Sequence, residues 1–128
     1  MPQVDLISAG YVIAEASAVA AAIHDRAFWA TLWPGLELSV FQDRGLQGIR
    51  WNCSGALSGS CEVWLEAYGR GVIVHCYLRA DPPPGRSAAA VRRAARRREI
   101  RVNQVLLALK DSFEDRSSTE EDLPTPQE

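Results

Sequence analysis

The stretch LELSVFQDRGLQGIRWNCSG, Leu36 to Gly55, reads as a β-hairpin folded about Asp43-Arg44-Gly45. Apolar and polar residues alternate along both arms. Leu36, Leu38 and Val40 form the apolar set of the first arm, and Ile49, Trp51 and Cys53 that of the second. A period of two places such a set on one face of a sheet. The arms are expected over Leu36–Gln42 and Leu46–Ser54, with Gly45 supplying the positive φ of the turn. The hairpin poses a question of function: its apolar face meets either a packed core or a bound molecule.

The same alternation continues downstream. Ser60–Ala67 and Val72–Arg79 read as a second hairpin around Tyr68-Gly69-Arg70-Gly71, joined to the first by the short link Gly55–Gly59. Cys61, Val63 and Leu65, then Val72, Val74, Cys76 and Leu78, extend the apolar face. The opposite face collects Glu37, Arg50, Asn52, Glu62, Trp64, Glu66, Ile73, His75, Tyr77 and Arg79, mostly polar with an aromatic minority. One buried and one wet face is the usual antiparallel arrangement.

Upstream, Val4–Ile13 is rich in β-branched residues and reads as a first strand, in which Gly10 marks a bulge or a close backbone approach. Glu15–His24 is alanine-rich and helical, with Ser17 as the candidate cap. Asp25 caps a second short helix, which ends before Pro34. Beyond the stiff Asp81-Pro82-Pro83-Pro84-Gly85 loop, one long helix runs from Ser87 to about Glu114. Val91, Ala94, Ala95, Val102, Val105, Leu106, Leu109 and Phe113 recur along it at steps of three and four, giving one buried stripe. The fold class expected is α+β: a curved antiparallel sheet of about five strands over a long C-terminal helix, with two short helices after the first strand.

The chain's 128 residues suit one domain, placed at 1–116, and its apolar share of 47% is ordinary for a globular protein. Residues 117–128, SSTEEDLPTPQE, are polar, acidic and proline-bearing, and are expected to form a disordered tail. A formal net charge of −2 gives no whole-molecule pull on polyanions. Seven of the fourteen basic residues fall between Arg86 and Arg101, where Arg92, Arg93, Arg96 and Arg97 could meet phosphates. No interleaved aromatics accompany them, so a solvated helix face is expected and nucleic acid is not. No apolar run is long enough to span a membrane. The opening MPQVDLISAG lacks a basic leader and carries Asp5, so no signal peptide is expected. With three cysteines, this points to a reducing, cytoplasmic setting.

The order of elements resembles the helix-grip fold of the START-like, or SRPBCC, superfamily. More closely, the chain resembles small bacterial proteins of the polyketide cyclase/dehydrase-like kind. The stretches that carry the resemblance are YVIAEASAVAAAIHD, FWATLWPGLEL, DRGLQGIRW, GALSGSCEVWLE, GVIVHCYLRADP and the Arg-rich helix ending LLALKDSFE. They are markers of fold and hold no catalytic signature. Four strands follow the helix pair here, where the superfamily usually has six, which implies a smaller cavity. The resemblance implies an apolar pocket between sheet and helix for a lipid or polyketide-like molecule. Its walls would be Leu38, Val40, Ile49, Trp51, Cys53, Val63, Leu65, Val74, Cys76 and Leu78 on the sheet, Val102, Leu106 and Leu109 on the helix, and Trp33 at the mouth.

For chemistry, the apolar face offers only thiols. Simple registers would set Cys53 opposite Cys61 and Cys61 opposite Cys76, but these lack the CxxC spacing of zinc sites. They read as small buried hydrophobes, and neither metal nor cofactor is expected. His75, with Tyr77 as neighbour, is a weak candidate base on the other face. Three functions therefore stand. The first is non-catalytic binding of a small hydrophobic ligand. The second is a polyketide cyclase/aromatase-type enzyme. The third is a homodimeric interaction domain using Trp64, Ile73 and Tyr77 on the outer sheet face.

Overall fold

The computed structural model describes the backbone of residues 2–122 and the side chains up to residue 114. Five strands build one antiparallel sheet: β1 (Val4–Val12), β2 (Leu36–Asp43), β3 (Gly48–Gly55), β4 (Ser58–Tyr68) and β5 (Gly71–Asp81). Their order across the sheet is β1-β5-β4-β3-β2, so each hairpin pairs with its sequence neighbour and β1 closes onto β5. Helices α1 (Ala16–Ile23) and α2 (Arg26–Leu32) follow β1, and α3 (Ala88–Asp122) follows β5. This is the expected architecture: a curved sheet around a long C-terminal helix, with two short helices after the first strand.

The helix ends follow local chemistry with one exception. Asp25 caps α2, its Oδ1 accepting the Ala27 amide at 2.9 Å. Ser87 caps α3, its Oγ accepting the Ala90 amide at 3.1 Å. Ser17 does not cap α1. The helix begins one residue before it, with Glu15 at the cap position making no side-chain bond. At the other end, α3 continues to Asp122, through the Ser117–Asp122 part of the stretch expected to be a disordered tail. The remainder of that stretch, 123–128, lies outside the described residues.

The quoted hairpin differs from its sequence reading at the tip and along one arm. Gly45–Gln47 form a single 3₁₀ turn, so β3 starts at Gly48 and not at Leu46. Between Val40 and Gln42 the register shifts, leaving Phe41 as the extra residue of a bulge. Gly48 is required where it stands. Its φ is 125°, and a Cβ there would run into the Val63 carbonyl of β4. Gly10 answers to a close approach: a Cβ on it would stand 3.4 Å from Cβ of Leu106, so the bare backbone lets α3 seat on β1.

The apolar faces meet. Ile49, Trp51, Val63, Leu65, Val74, Cys76 and Leu78 of the sheet join Val102, Leu106 and Leu109 of α3 in one buried core, with Val4, Leu6 and Val12 of β1. Trp33 and Trp51 are its largest fully buried side chains, at 1% and 0% exposure. Trp29 meets Trp51 edge to face, ring centres 5.2 Å apart, while its own Nε1 donates to the Ile23 carbonyl.

Candidate functional site

Most residues expected to line a pocket are core residues: Trp33, Ile49, Trp51, Cys53, Val63, Leu65, Val74, Cys76, Leu78, Val102, Leu106 and Leu109 are all buried. Leu38 is half-buried against them. Val40 faces the same side but is 47% exposed, because it lies on the edge strand next to the Phe41 bulge.

The thiols need a correction of register. Trp51, not Cys53, pairs with Cys61, and Cys53 pairs with Gly59. Cys61 pairs with Leu78, and Val63 with Cys76. β4 begins at Ser58, so the link between the hairpins is shorter than supposed and the β3–β4 pairing slides by two residues, while the β4–β5 pairing follows the two-residue Gly69-Arg70 turn, with Ala67 opposite Val72, which sets Cys61 opposite Leu78. A slip of two keeps every side chain on its face, so the cysteines remain on the inner side as diagonal neighbours. Burial pushes Cys76 up to about 12. Burial raises Cys61 further still, with Cys53 beside it adding to the rise. Burial also raises Cys53, partly offset by a hydrogen bond with Cys61. All three are neutral thiols at neutral pH and poor nucleophiles.

On the outer face, His75 stacks on Trp64 across the strands, ring centres 4.5 Å apart, and on Tyr77 along β5 at 6.2 Å. Its Nε2 lies 3.0 Å from Oε1 of Glu66. The weak candidates His75 and Tyr77 are thus brought together, but in a half-buried aromatic row facing away from the core. Beside this row a hollow of about 420 Å³ is floored by Asn52 and Ser60 and rimmed by Ile7, Phe41, Tyr77 and Arg79. Arg50 lies 5.5 Å over the Phe41 ring and bonds Glu62.

A second hollow has a different character. It lies between α2 and α3, holds about 410 Å³, and is lined by Ala27, Phe28, Thr31, Val105, Ala108 and Leu109, with Gln104 and Arg101. That volume falls within the range of small-molecule sites. Arg101 also lines an adjoining hollow of about 290 Å³, together with Pro34, Ala94, Arg97 and Arg98. An apolar groove therefore runs along the two helices into a corner holding three arginines.

Arg98 is the unusual member of that corner. Its neighbours Arg96, Arg97 and Arg101 are exposed, whereas Arg98 is half-buried. Its Nη2 reaches to 3.7 Å from where a Cβ on Gly35 would stand. Its Nη1 is buried and has no hydrogen-bond partner, as is true of Nε1 of Trp33 and of Trp51. An unsatisfied buried donor costs about 1–3 kcal/mol, and more when the group is charged. Burial lowers the proton affinity of the guanidinium, yet an arginine stays charged in a protein. The ionisable groups that act on it, Cys53 and Cys61, are the neutral thiols just described.

Sequence reasoning passed over Arg98 because it read the basic run as one solvated face. The signal was present: Val91, Ala95, Arg98, Val102, Val105 and Leu109 step by four and three, which puts Arg98 on the buried stripe. Ala27, Phe28 and Thr31 share one side of α2 by the same spacing, but a helix this short gives periodicity little room to speak.

At the level of sequence no family model and no curated protein matches the chain. Solved structures do match in shape. The crystal structure of DR_A0006 from Deinococcus radiodurans is 14% identical, with a TM-score of 0.62 over 84% of this chain and 95% of that one. The solution structure of the Aha1 dimer from Colwellia psychrerythraea is 12% identical, with a TM-score of 0.60 over 86% and 96%. The di-domain ARO/CYC StfQ of the steffimycin biosynthetic pathway is 13% identical, with a TM-score of 0.56 over 90% of this chain and 52% of that one. Similarity of this order is similarity of architecture alone: the chain shares with these proteins a curved antiparallel sheet around a long C-terminal helix.

Proposed function

We propose that the protein binds a small hydrophobic molecule without chemically altering it, and that the ligand lies in the groove between α2 and α3. The observation that carries this reading is the apolar lining of that groove at about 410 Å³. The architecture supports ligand binding in kind, since a curved sheet around a long helix can cradle a hydrophobic molecule, and that long helix, α3, is one wall of this groove. The sequence-derived walls contribute Leu109 to the groove. Most of the remaining walls lie in the core, where Trp33 and Trp51 are fully buried. Binding would draw on apolar burial, about 25 cal/mol per Å² before the costs of association.

Ala108→Trp tests the reading, because Ala108 is exposed and the change fills the groove without entering the core. The expected result is at least a tenfold loss of affinity for a hydrophobic probe such as 1-octanol, followed by amide chemical shifts, with the melting temperature kept. Unchanged affinity would place the ligand elsewhere.

A homodimer through the outer sheet face is a second reading. It is favoured by Ile7 and Phe41, each 62% exposed beside Trp64, Ile73 and Tyr77. Sedimentation of Phe41→Asp against the parent tests it.

A further inference from the structure

We propose that the ligand of the α2–α3 groove is an anionic amphiphile whose carboxylate is held by Arg98 and Arg101 at the arginine corner. The inference deepens the binding function above and rests on it. Its independent support is a cation without a counter-ion. Among the described residues, ion pairs engage Arg44, Arg50, Arg79 and Lys110, but not Arg97, Arg98 or Arg101. These last three nevertheless line one hollow of about 290 Å³, and no acidic side chain lines it with them. Arg97 and Arg101 stand four residues apart on one helix, where like charges repel. An anion between them relieves that repulsion.

Arg98 gives the corner its chemical preference. Its side chain is half-buried, with Nη1 unpartnered, and lines the hollow. A planar fork of N–H donors matches the two oxygens of a carboxylate, with charge-assisted bonds. The thiols beside it are held neutral by burial and cannot serve as the counter-charge. Arg101 belongs both to this hollow and to the apolar groove, so a head group at Arg98 and Arg101 leaves its tail directed along Val105, Ala108 and Leu109.

The test titrates the full chain with three probes, octanoate, 2-naphthoate and 1-octanol, and compares it with Arg98→Gln and Arg101→Gln. The expected result is that each carboxylate binds the parent at least tenfold more tightly than octanol. Either substitution should remove that advantage, read as the ratio of carboxylate to octanol affinity within each protein, which falls towards one. Salt should weaken the carboxylates and not octanol. The tighter of the two carboxylates tells whether the natural tail is a flexible chain or a ring. If Arg98→Gln unfolds, Arg101→Gln and the salt series decide, since Arg101 is exposed. Octanol bound as tightly as octanoate, or carboxylate binding that neither substitution weakens, overturns the anchor while the groove stands. No binding by any probe overturns groove and anchor together.

Discussion

At the scale of single residues, burial has taken the chemistry out of the side chains that looked most reactive. Cys53, Cys61 and Cys76 sit in the core with thiol pKa values raised by desolvation. The consequence for stability has a definite sign. In the unfolded chain a thiol ionises near 9, whereas Cys76 in the fold holds its proton to about 12. Between those values the native state binds more protons than the unfolded one, so stability falls as pH rises. It is fully present below pH 9. We expect denaturant midpoints to drop between pH 9 and 12, and the drop to be smaller in Cys76→Ala, once its constant cost at neutral pH is subtracted. A pH dependence identical in both would mean that this thiol is not protected as the structure places it. Arg98 is the opposite case, a charge that burial leaves intact and unpaired. Its position on the apolar stripe was legible in the spacing of α3. Its lack of a partner was not, because it depends on which groups β3, β4 and the Gly35 corner bring near it.

At the scale of elements, α2 was marked by its cap, α3 by its apolar stripe and the strands by their alternation. Asp25 is the sharpest case. The sequence offered it as the cap of α2, and its carboxylate takes the Ala27 amide. Asp25→Ala should cost about 1 kcal/mol of stability in chemical denaturation. Since α2 forms one wall of the groove, fraying of its first turn should also weaken octanol binding. A variant as stable as the parent would mean that the cap bond adds nothing to α2. Element boundaries were less legible than element types. The 3₁₀ turn at Gly45–Gln47 and the bulge at Phe41 reset the hairpin by residues that no alternation counts. The early start of β4 then moved the Cys53 pairing by two, while the Gly69-Arg70 turn sets Cys61 opposite Leu78. Face assignments survived because a shift of two preserves the side on which a residue lies.

At the scale of the whole molecule, the sheet has one face committed to the core and one exposed. The exposed face carries Ile7 and Phe41 around a hollow of about 420 Å³. If two copies join there, Phe41→Asp should shift sedimentation from dimer to monomer at micromolar concentration, without loss of helical signal. A parent that sediments as a monomer throughout would remove this reading. The described residues contain no helix long and apolar enough to cross a membrane.

The order and type of the elements, the two faces of the sheet and the stripe of α3 are legible in the order of residues alone. Each of these is written in a local period, two for strands and 3.6 for helices, so neighbouring residues suffice to declare it. The tertiary structure alone decided what the apolar faces meet. Core walls and pocket walls share the same residues; in the fold Trp33 and Trp51 are buried with them, Trp29 packs against them, and an open apolar surface lies at the α2–α3 groove. It likewise decided that Arg98 stands without a counter-ion, because an ion pair is a relation between distant parts of the chain. Periodicity carries no record of such relations; volume and charge settle them only once the parts are brought together.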